Sequence, residues 1–269
     1  MSIATSQLDK ASKKYWDKQW QAGSLPTAID PHAGGLRNIL RRRFHALFSE
    51  LFHGFGASTK SLVEIGCARS AWLPYFAKEF GFSVSGIDYS EDGCQQSEFI
   101  LDREGVDGAI LCADVFSPPA EVIGAFDVLI SFGVMEHFQD TSGAARAFAE
   151  CLKPGGMIIT VIPNMVGLLG RLQRVVDKAV YDIHVPLDRE TLAQAHSDAG
   201  LTVERCQYFL FLNLGVINME IWRPGLLYSI LNPSRFALSA IGCAMEGIVP
   251  LVLANAFSSP YIVCVARKP

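Results

Sequence analysis

Two acidic residues and a turn of small residues mark the part of the chain best suited to chemistry. Glu64 lies near the end of an apolar run, the turn Gly66–Ser70 follows it, and Asp88 ends the next apolar run. A buried strand that leads into such a turn, with a second acid about 20 residues further on, is typical of nucleotide-binding sites. The small residues let the backbone approach a ligand, and the second carboxylate accepts hydrogen bonds from ribose hydroxyls. We therefore expect a nucleotide-containing ligand here.

Two histidines are candidate proton acceptors. His137 follows the predicted fourth strand and His184 follows a predicted amphipathic helix. A histidine with its usual pKa of about 6.5 can accept a proton at neutral pH. Glu136 is a less favoured candidate for the same task. A purely structural hydrogen bond for His137 and a surface position for His184 remain open alternatives, and we expect His196 to be solvated.

Composition and charge exclude several classes of protein. The chain has 269 residues, of which 50% are hydrophobic, and a formal net charge of −4 with a pI near 5.9. A protein that coats duplex nucleic acid needs a clustered basic surface, so we expect no nucleic-acid partner. The seven cysteines form no Cys-x-x-Cys pair, which favours reduced thiols in the cytoplasm. They share no metal-ligand spacing with the histidines, so no metal site is predicted. The polar segment 1–18 shows no secretory signal.

From residue 61 onward, strand-like and helix-like runs alternate. This alternation predicts a doubly wound, mostly parallel sheet with right-handed crossovers and helices on both faces. Ligands of such sheets bind at the carboxyl ends of the strands. The predicted strands are 61–66, 83–88, 109–112, 126–131, 157–162, 202–212 and 260–266; the predicted helices are 36–52, 70–80, 91–104, 142–152, 165–179 and 189–199, with N-caps at Ser70, Ser90 and Thr141.

Six short motifs follow one another along these elements. They are Val63-Glu64-Ile65-Gly66-Cys67, Gly86-Ile87-Asp88, Ala113-Asp114, Phe126-Asp127-Val128, Gly133-Val134-Met135-Glu136-His137-Phe138 and Leu152-Lys153-Pro154-Gly155-Gly156. In this order they resemble class I S-adenosylmethionine-dependent methyltransferases, in particular the small-molecule branch with the ubiquinone and menaquinone biosynthesis enzymes. The match runs from about 60 to 163, with weaker support to 205. The resemblance implies a Rossmann-like sheet of seven strands.

The resemblance also implies which residues surround S-adenosylmethionine. Asp88 would bind the ribose hydroxyls, and Asp114 would accept a hydrogen bond from the adenine amino group. The family turn is usually Gly-x-Gly-x-Gly, but Ala68 and Ser70 replace its last two glycines, which is tolerable if their φ angles are negative. The full set is Glu64, Gly66, Cys67, Ala68 and Ser70 around the methionine moiety, Asp88, Tyr89, Asp114 and Val115 around adenosine, Ser131, Phe132 and Gly133 at the methyl-donor end, and Tyr15 and Trp16 in a cap above the cofactor.

The resemblance favours an enzyme that methylates an oxygen or nitrogen of a small metabolite, such as a secondary metabolite, a quinone-like ring, or a sugar or lipid-linked acceptor. Two alternatives remain open: a catalytically silent cofactor-binding module, and a methyltransferase acting on RNA or protein. The absence of an Asn/Asp-Pro-Pro-Tyr segment after the fourth strand favours the small acceptor. A nicotinamide-binding protein is disfavoured because Gly-x-Gly-x-x-Gly is absent.

We predict an N-terminal helical cap over 1–56 and a methyltransferase domain over 57–269. Insertions at 163–190 and 213–258 would cover the acceptor. The second insertion is unusually apolar, but Glu246, Gly247 and Pro250 interrupt it, so no membrane span is expected. It fits a lid or homodimer face that buries Phe209, Phe211, Trp222 and Leu226, or alternatively a peripheral membrane surface or a pocket for a hydrophobic acceptor. A basic cluster of Arg171, Arg174 and Lys178 fits a phosphate-bearing acceptor, a membrane surface or a merely solvated face.

Overall fold

The computed structural model describes residues 9–21, 24–35, 38–223, 225–248 and 253–269. Parts of two predicted regions lie outside the described residues: 1–8, 22–23 and 36–37 of the cap, and 224 and 249–252 of the apolar insertion.

Within the described residues, seven strands form one sheet in the order β3-β2-β1-β4-β5-β7-β6. Strands β1 to β5 are parallel to one another, whereas β7 runs antiparallel to both β5 and β6. The predicted fold class is confirmed. The strands are β1 Ser61–Ile65, β2 Ser83–Asp88, β3 Gly108–Cys112, β4 Phe126–Phe132, β5 Leu152–Pro163, β6 Thr202–Phe209 and β7 Tyr261–Arg267.

Helices cover both faces of the sheet because successive side chains of the buried strands point to opposite sides. Leu62 of β1 packs in a cluster with Phe48 and Phe76, whereas its neighbour Val63 packs in the other cluster with Phe148. The helices are α1 Lys13–Trp20, α2 Ile39–Leu51, α3 Trp72–Phe80, α4 Glu91–Glu104, α5 Thr141–Glu150, α6 Leu168–Val176, α7 Lys178–Asp182, α8 Arg189–Asp198 and α9 Leu226–Ile248.

Several predicted boundaries differ from the structure for local reasons. The predicted helix 165–179 is two helices, because Asp177 adopts an extended conformation and its carboxylate accepts a hydrogen bond from Val180 N to cap α7. Strand β6 ends at Phe209 because Leu210 has a φ of 67°. The N-cap of α5 is Asp140 rather than Thr141. The structure thus has two consecutive helices, α6 and α7, where one long helix was predicted over 165–179.

His196 is buried rather than solvated. Its side chain is fully enclosed, its Nδ1 donates to the Leu192 carbonyl at 2.8 Å, and its Nε2 lies 2.9 Å from Thr160 Oγ1. Because Thr160 lies on β5, this histidine fastens α8 to the sheet and has no part in the site described below.

The order of the strands fixes where a ligand can bind. The chain starts at β1, proceeds outward to β3, and then crosses back to β4 on the other side of β1. The loops that follow β1 and β4 therefore diverge and leave a crevice at their carboxyl ends. The turn after β1 and the segment after β4 both lead into that crevice.

Candidate active site

Two small cavities open at the carboxyl ends of β1, β2 and β4. They have volumes of about 140 and 180 Å³, and Asp88 lines both. Asp114 and Val115 line the first, whereas Phe132 and Gly133 line the second, which extends toward β4. This arrangement suits a ligand with a flat ring at one end and a reactive group at the other. Both cavities are also lined by Asp9, Gly66, Tyr89, Val134 and Phe138.

The turn after β1 brings the backbone against this crevice. Gly66 has a φ of +77°, and a Cβ added there would lie 2.4 Å from Val134 Cγ2. Ala68 and Ser70, which replace the family glycines, do not have positive φ angles; Arg69, with a φ of 56°, is the residue in the left-handed region. The replacements are therefore compatible with a tight turn.

Asp88 holds the turn in place and still offers acceptor sites to a ligand. Its Oδ2 accepts a hydrogen bond from Ala68 N at 3.0 Å and its Oδ1 accepts one from Ser90 N at 2.8 Å. A carboxylate has about four lone-pair positions, so each oxygen keeps capacity for a ribose hydroxyl. Burial raises the pKa of this carboxyl, against the backbone donors that lower it. Hydrogen-bond donors from a ligand would stabilise the ionised form further.

Glu64 and Ser70 brace the turn from behind. Ser70 Oγ donates to Glu64 Oε2 at 2.5 Å and accepts from the backbone N–H groups of Trp72 and Leu73, at 3.0 and 3.1 Å. Burial raises the pKa of Glu64 to about 8, although the Ser70 hydrogen bond lowers it. The N-cap of α3 is Ala71 rather than the predicted Ser70, and Ser70, one residue earlier, accepts hydrogen bonds from the first two backbone N–H groups of the helix.

The predicted cofactor residues fall into two groups. Those that line the crevice or the neighbouring large cavity are Tyr15, Trp16, Gly66, Asp88, Tyr89, Asp114, Val115, Phe132 and Gly133. Among the described residues, the side chains that support the turn or strand without lining those cavities are Glu64, Cys67, Ala68, Ser70 and Ser131. Their direct contact with a cofactor stays a prediction.

A much larger cavity, of about 900 Å³, adjoins the crevice. It shares a wall with the 180 Å³ cavity, and the shared residues are Trp16, Trp20, Phe132, Gly133 and His137. Aromatic and aliphatic side chains form about half of the rest of its lining, which can accommodate the apolar body of a ligand, and polar or charged side chains form the remainder. Those further aromatic residues are Tyr15, Phe44, Trp72 and Tyr261.

His137 and His184 meet at this shared wall, with ring centroids 4.7 Å apart. The Nδ1–H of His137 donates to the Ile183 carbonyl at 2.9 Å, and that of His184 donates to the Val180 carbonyl at 2.7 Å. Because a carbonyl can only accept, each neutral ring keeps Nε2 as its proton acceptor. Burial lowers the pKa of both histidines to about 4, against the carbonyls that raise it. Both rings are therefore neutral at physiological pH.

Glu136 lies beside the two histidines and was only a minor candidate from sequence. It is 1% exposed, and its Oε2 has no hydrogen-bond partner within the described part of the chain. Burial raises its pKa to about 8. One ligand-type atom from each of Glu136, His137 and His184 lies within 4.8 Å of the others, so this trio has the atom types of a metal site. Sequence spacing gave no sign of it, because the third member comes from a distant segment.

The N-terminal segment closes the site from above. Lys10 N donates to the His137 carbonyl at 2.9 Å, and Lys10 Nζ donates to the His184 carbonyl at 2.6 Å. The Tyr89 hydroxyl donates to Asp9 Oδ2 at 3.0 Å. Tyr15 and Trp16 of α1 line the large cavity, with Trp16 edge-on to His137 at 5.2 Å. Asp9 and Lys10 were missed from sequence because their partners lie 80 residues or more away.

A family model described as a methyltransferase domain matches residues 36–205, well over half of the chain. Similar curated proteins are two ubiquinone biosynthesis O-methyltransferases. The Caulobacter vibrioides protein is 32% identical over 104 residues, which are 39% of this chain and 41% of that protein. The Escherichia coli O127:H6 protein is 24% identical over 136 residues, 48% of this chain and 56% of that protein. The matched segments therefore span about half the length of these relatives.

Solved structures of the same fold match nearly the whole chain at low identity. Geranyl diphosphate C-methyltransferase from Streptomyces coelicolor A3(2), solved with Mg²⁺, geranyl diphosphate and S-adenosyl-L-homocysteine, gives a TM-score of 0.61 at 13% identity and covers 96% of this chain and 97% of its own. The [4+2]-cyclase SpnF also gives a TM-score of 0.61, at 16% identity. That match covers 97% of this chain and 96% of the SpnF chain. These likenesses show the fold, and the second shows that the fold alone does not specify a reaction. The family match confirms the predicted enzyme class and its cofactor, S-adenosylmethionine: the chain belongs to the methyltransferase domain family.

Proposed function

We propose that this protein transfers a methyl group from S-adenosylmethionine to an oxygen or nitrogen atom of a small acceptor with an apolar body. One observation carries the proposal: the crevice at Asp88 and the large cavity share the wall formed by Phe132, Gly133 and His137. A donor anchored at Asp88 would have its reactive end at that wall, and an acceptor in the large cavity would meet it there.

The residues of the crevice fit the cofactor. Bound there, S-adenosylmethionine supplies an electrophilic methyl group. Asp88 has free lone pairs for two ribose hydroxyls, and the 140 Å³ cavity between Asp114 and Val115 suits the adenine ring. The glycine backbone at Gly66 leaves room where any side chain would collide with Val134. The chain contributes mainly alignment and exclusion of water, which are the main requirements of an in-line displacement.

The lining of the large cavity supports a small apolar acceptor rather than a nucleic acid. Aromatic side chains such as Trp72 and Tyr261 line it together with aliphatic ones such as Leu40, and polar side chains such as Gln173 and Arg223 line other parts of it. The curated relatives are named as ubiquinone biosynthesis enzymes, which supports a quinone-like ring among the acceptors. The described cysteines are free thiols, which supports a cytoplasmic reaction. A homodimer stays a prediction.

His137 and His184 would accept the proton that an acceptor hydroxyl or ammonium group loses. Both rings are neutral because of burial, and both are oriented by backbone carbonyls. A neutral imidazole whose Nδ1–H is held by a carbonyl presents Nε2 in a fixed direction. A carboxylate acceptor would need no such base, so the cluster favours hydroxyl or amine substrates.

Transfer of label from methyl-labelled S-adenosylmethionine to a panel of phenols, catechols, aliphatic alcohols, amines and carboxylates tests the proposal. We expect labelled product with an aromatic hydroxyl or amine, and little with carboxylates. Tight binding of the cofactor with no transfer to any member would indicate a silent cofactor-binding module instead. Label found only on added RNA or protein would contradict the small acceptor.

A further inference from the structure

We infer that α9 and α6 form a surface that binds the headgroup region of an anionic lipid bilayer. The inference does not depend on the proposed methyl transfer, because it concerns the outside of the molecule. The protein would lie on the membrane surface rather than span the membrane, since none of the helices in the described residues is long and apolar enough to cross a membrane.

Helix α9 exposes large apolar side chains along one side. Over 226–242 its single charged residue is Arg235, which donates to the Ile217 carbonyl and stacks on Phe236. The opposite side of the helix carries the buried Ser239. Scattered exposed leucines need no explanation, but a contiguous uncharged side of this length marks an interaction surface. Its exposed members are Leu226 at 78%, Ile230 at 54%, Leu238 at 51% and Ile241 at 55%.

Helix α6 adds positive charge and further apolar groups. Arg171 and Arg174 are exposed, and the helix contains no acidic residue. Leu172, which lies between the two arginines, is 38% exposed, and Val175, which follows Arg174, is 85% exposed. Basic side chains interleaved with exposed apolar ones are typical of helices that lie at a membrane interface.

Both helices contact the same segment of chain, residues 217–219, and on that basis we assign their exposed sides to one composite surface. Asn218 N donates to Gln173 Oε1 of α6 at 2.7 Å, and the adjacent Ile217 carbonyl accepts from Arg235 of α9. Tyr228 of α9 packs on the same small cluster as Leu169 of α6. The composite surface therefore has an apolar part, α9, and a basic part, α6.

Charge decides between a bilayer and a second copy of the chain. The protein carries a net charge of −4, yet the charged residues of α6 are both arginines. Two such faces brought together across a twofold axis would place four arginines in one interface, which like-charge repulsion disfavours. An anionic lipid headgroup region complements the same charges.

The surface also adjoins the mouth of the large cavity. Gln173 of α6 and, in the segment before α9, Asn218, Glu220 and Arg223 all line that cavity. A molecule dissolved in the lipid would therefore reach the cavity directly from the bilayer.

Co-sedimentation of the full chain with vesicles tests the inference. We expect binding to phosphatidylcholine vesicles that contain phosphatidylglycerol, and at least roughly 10-fold weaker binding to phosphatidylcholine alone or in high salt. The double variant Arg171→Ala/Arg174→Ala should bind anionic vesicles roughly 5- to 30-fold more weakly. The triple variant Leu226→Ser/Ile230→Ser/Ile241→Ser should lose roughly 10-fold or more.

Matched control variants separate this surface from general surface chemistry. Phe99→Ser/Ile123→Ser removes apolar side chains that are 56% and 54% exposed on other elements, and Arg103→Ala/Arg146→Ala removes two exposed arginines elsewhere. Both controls should bind vesicles as the wild type does. Because all the changed residues are exposed, thermal unfolding should be unchanged in every variant.

Three results would overturn the inference. The first is no binding to anionic vesicles. The second is that the control variants weaken vesicle binding as much as the test variants do. The third is a stable dimer in ultracentrifugation that the triple variant dissociates, while no variant changes vesicle binding. The last would assign α9 to contact between two copies of the chain.

Discussion

The two halves of the site are built in different ways. The cofactor half lies at the ends of β1, β2 and β4, where short loops follow strands whose register is fixed by the sheet. The acceptor half is assembled from α1, the consecutive helices α6 and α7, and the segment before α9, three parts that are far apart in sequence. The side chains of the cofactor half are positioned by residues close to them in sequence. Those of the acceptor half depend on long-range contacts, such as the hydrogen bond from Lys10 Nζ to the His184 carbonyl. We therefore expect changes in the first half to affect cofactor binding and changes in the second to affect turnover.

The largest effect should come from filling the turn after β1. Gly66→Ala would place a methyl group 2.4 Å from Val134 Cγ2 at a φ of +77°. We expect affinity for S-adenosylmethionine, measured by calorimetry, to fall by about 100-fold or more, because the backbone must withdraw from the crevice.

A control separates the collision from the backbone strain. Gly105 has a φ of +64° with nothing within 4 Å of an added Cβ. Gly105→Ala should lower stability slightly and leave cofactor affinity unchanged. Adding Val134→Ala to Gly66→Ala should restore part of the affinity. Wild-type affinity in Gly66→Ala would show that the turn does not face the cofactor.

The acceptor half should control turnover instead. His137→Ala or His184→Ala is expected to lower turnover by about 100-fold if that ring is the base, and to change cofactor affinity by less than about 3-fold. Initial rates with labelled cofactor and saturating acceptor measure turnover, and calorimetry measures cofactor affinity. Full activity in either variant would return that histidine to a structural role.

The pH dependence of kcat/KM sharpens this prediction. The base acts when neutral, and burial lowers the pKa of both histidines to about 4. The profile should therefore show no histidine inflection near pH 6.5 and should fall only as the pH drops toward about 4. An inflection near 6.5 would contradict the buried, neutral rings. Loss of turnover in EDTA, restored by a divalent cation, would mean that the trio with Glu136 holds a metal rather than a proton.

Glu136 should make stability depend on pH. Burial raises its pKa from 4.5 to about 8, so the folded state retains the proton, and the stability this contributes below pH 4.5 is lost as the pH rises through about 8. Glu136→Gln has no such loss. The variant should gain about 2–4 kcal/mol relative to wild type between about pH 5 and pH 8 in urea unfolding. The exposed Glu150→Gln is the control; equal pH dependence in both variants would contradict the burial of Glu136.

The smallest effect belongs to the brace behind the turn. Ser70→Ala removes the acceptor for the first two N–H groups of α3 and the hydrogen bond to Glu64. The free energy of unfolding should fall by about 1–2 kcal/mol. Ser83→Ala, at an exposed strand start, should change it by less than about 0.5 kcal/mol. Equal stability of the two variants would show that the brace contributes nothing.

The same contrast explains what the sequence could predict. The mostly parallel seven-stranded sheet, and the positions of Asp88 and Asp114 at or just after strand ends, follow from local motifs, and the structure confirms the fold class. The hydrogen bonds of Asp9 and Lys10, and the approach of His184 to Glu136 and His137, arise from contacts between distant segments, which periodicity does not record.

One error in the predicted helices has a local cause instead. The single helix predicted over 165–179 is broken at Asp177, because the extended backbone and the capping carboxylate of that residue start a second helix, which an apolar pattern does not reveal. The acceptor half was thus hard to predict for two reasons: this local break, and contacts between distant segments.

Calorimetric titration of S-adenosylhomocysteine into wild type, Asp88→Ala and His184→Ala tests the central claim most directly. The account predicts that Asp88→Ala weakens binding by about 1.5–3 kcal/mol, the range for losing charge-assisted hydrogen bonds, while His184→Ala binds as wild type does. Unchanged affinity in Asp88→Ala, or a larger loss in His184→Ala, would contradict the placement of the cofactor at the carboxyl ends of β1, β2 and β4.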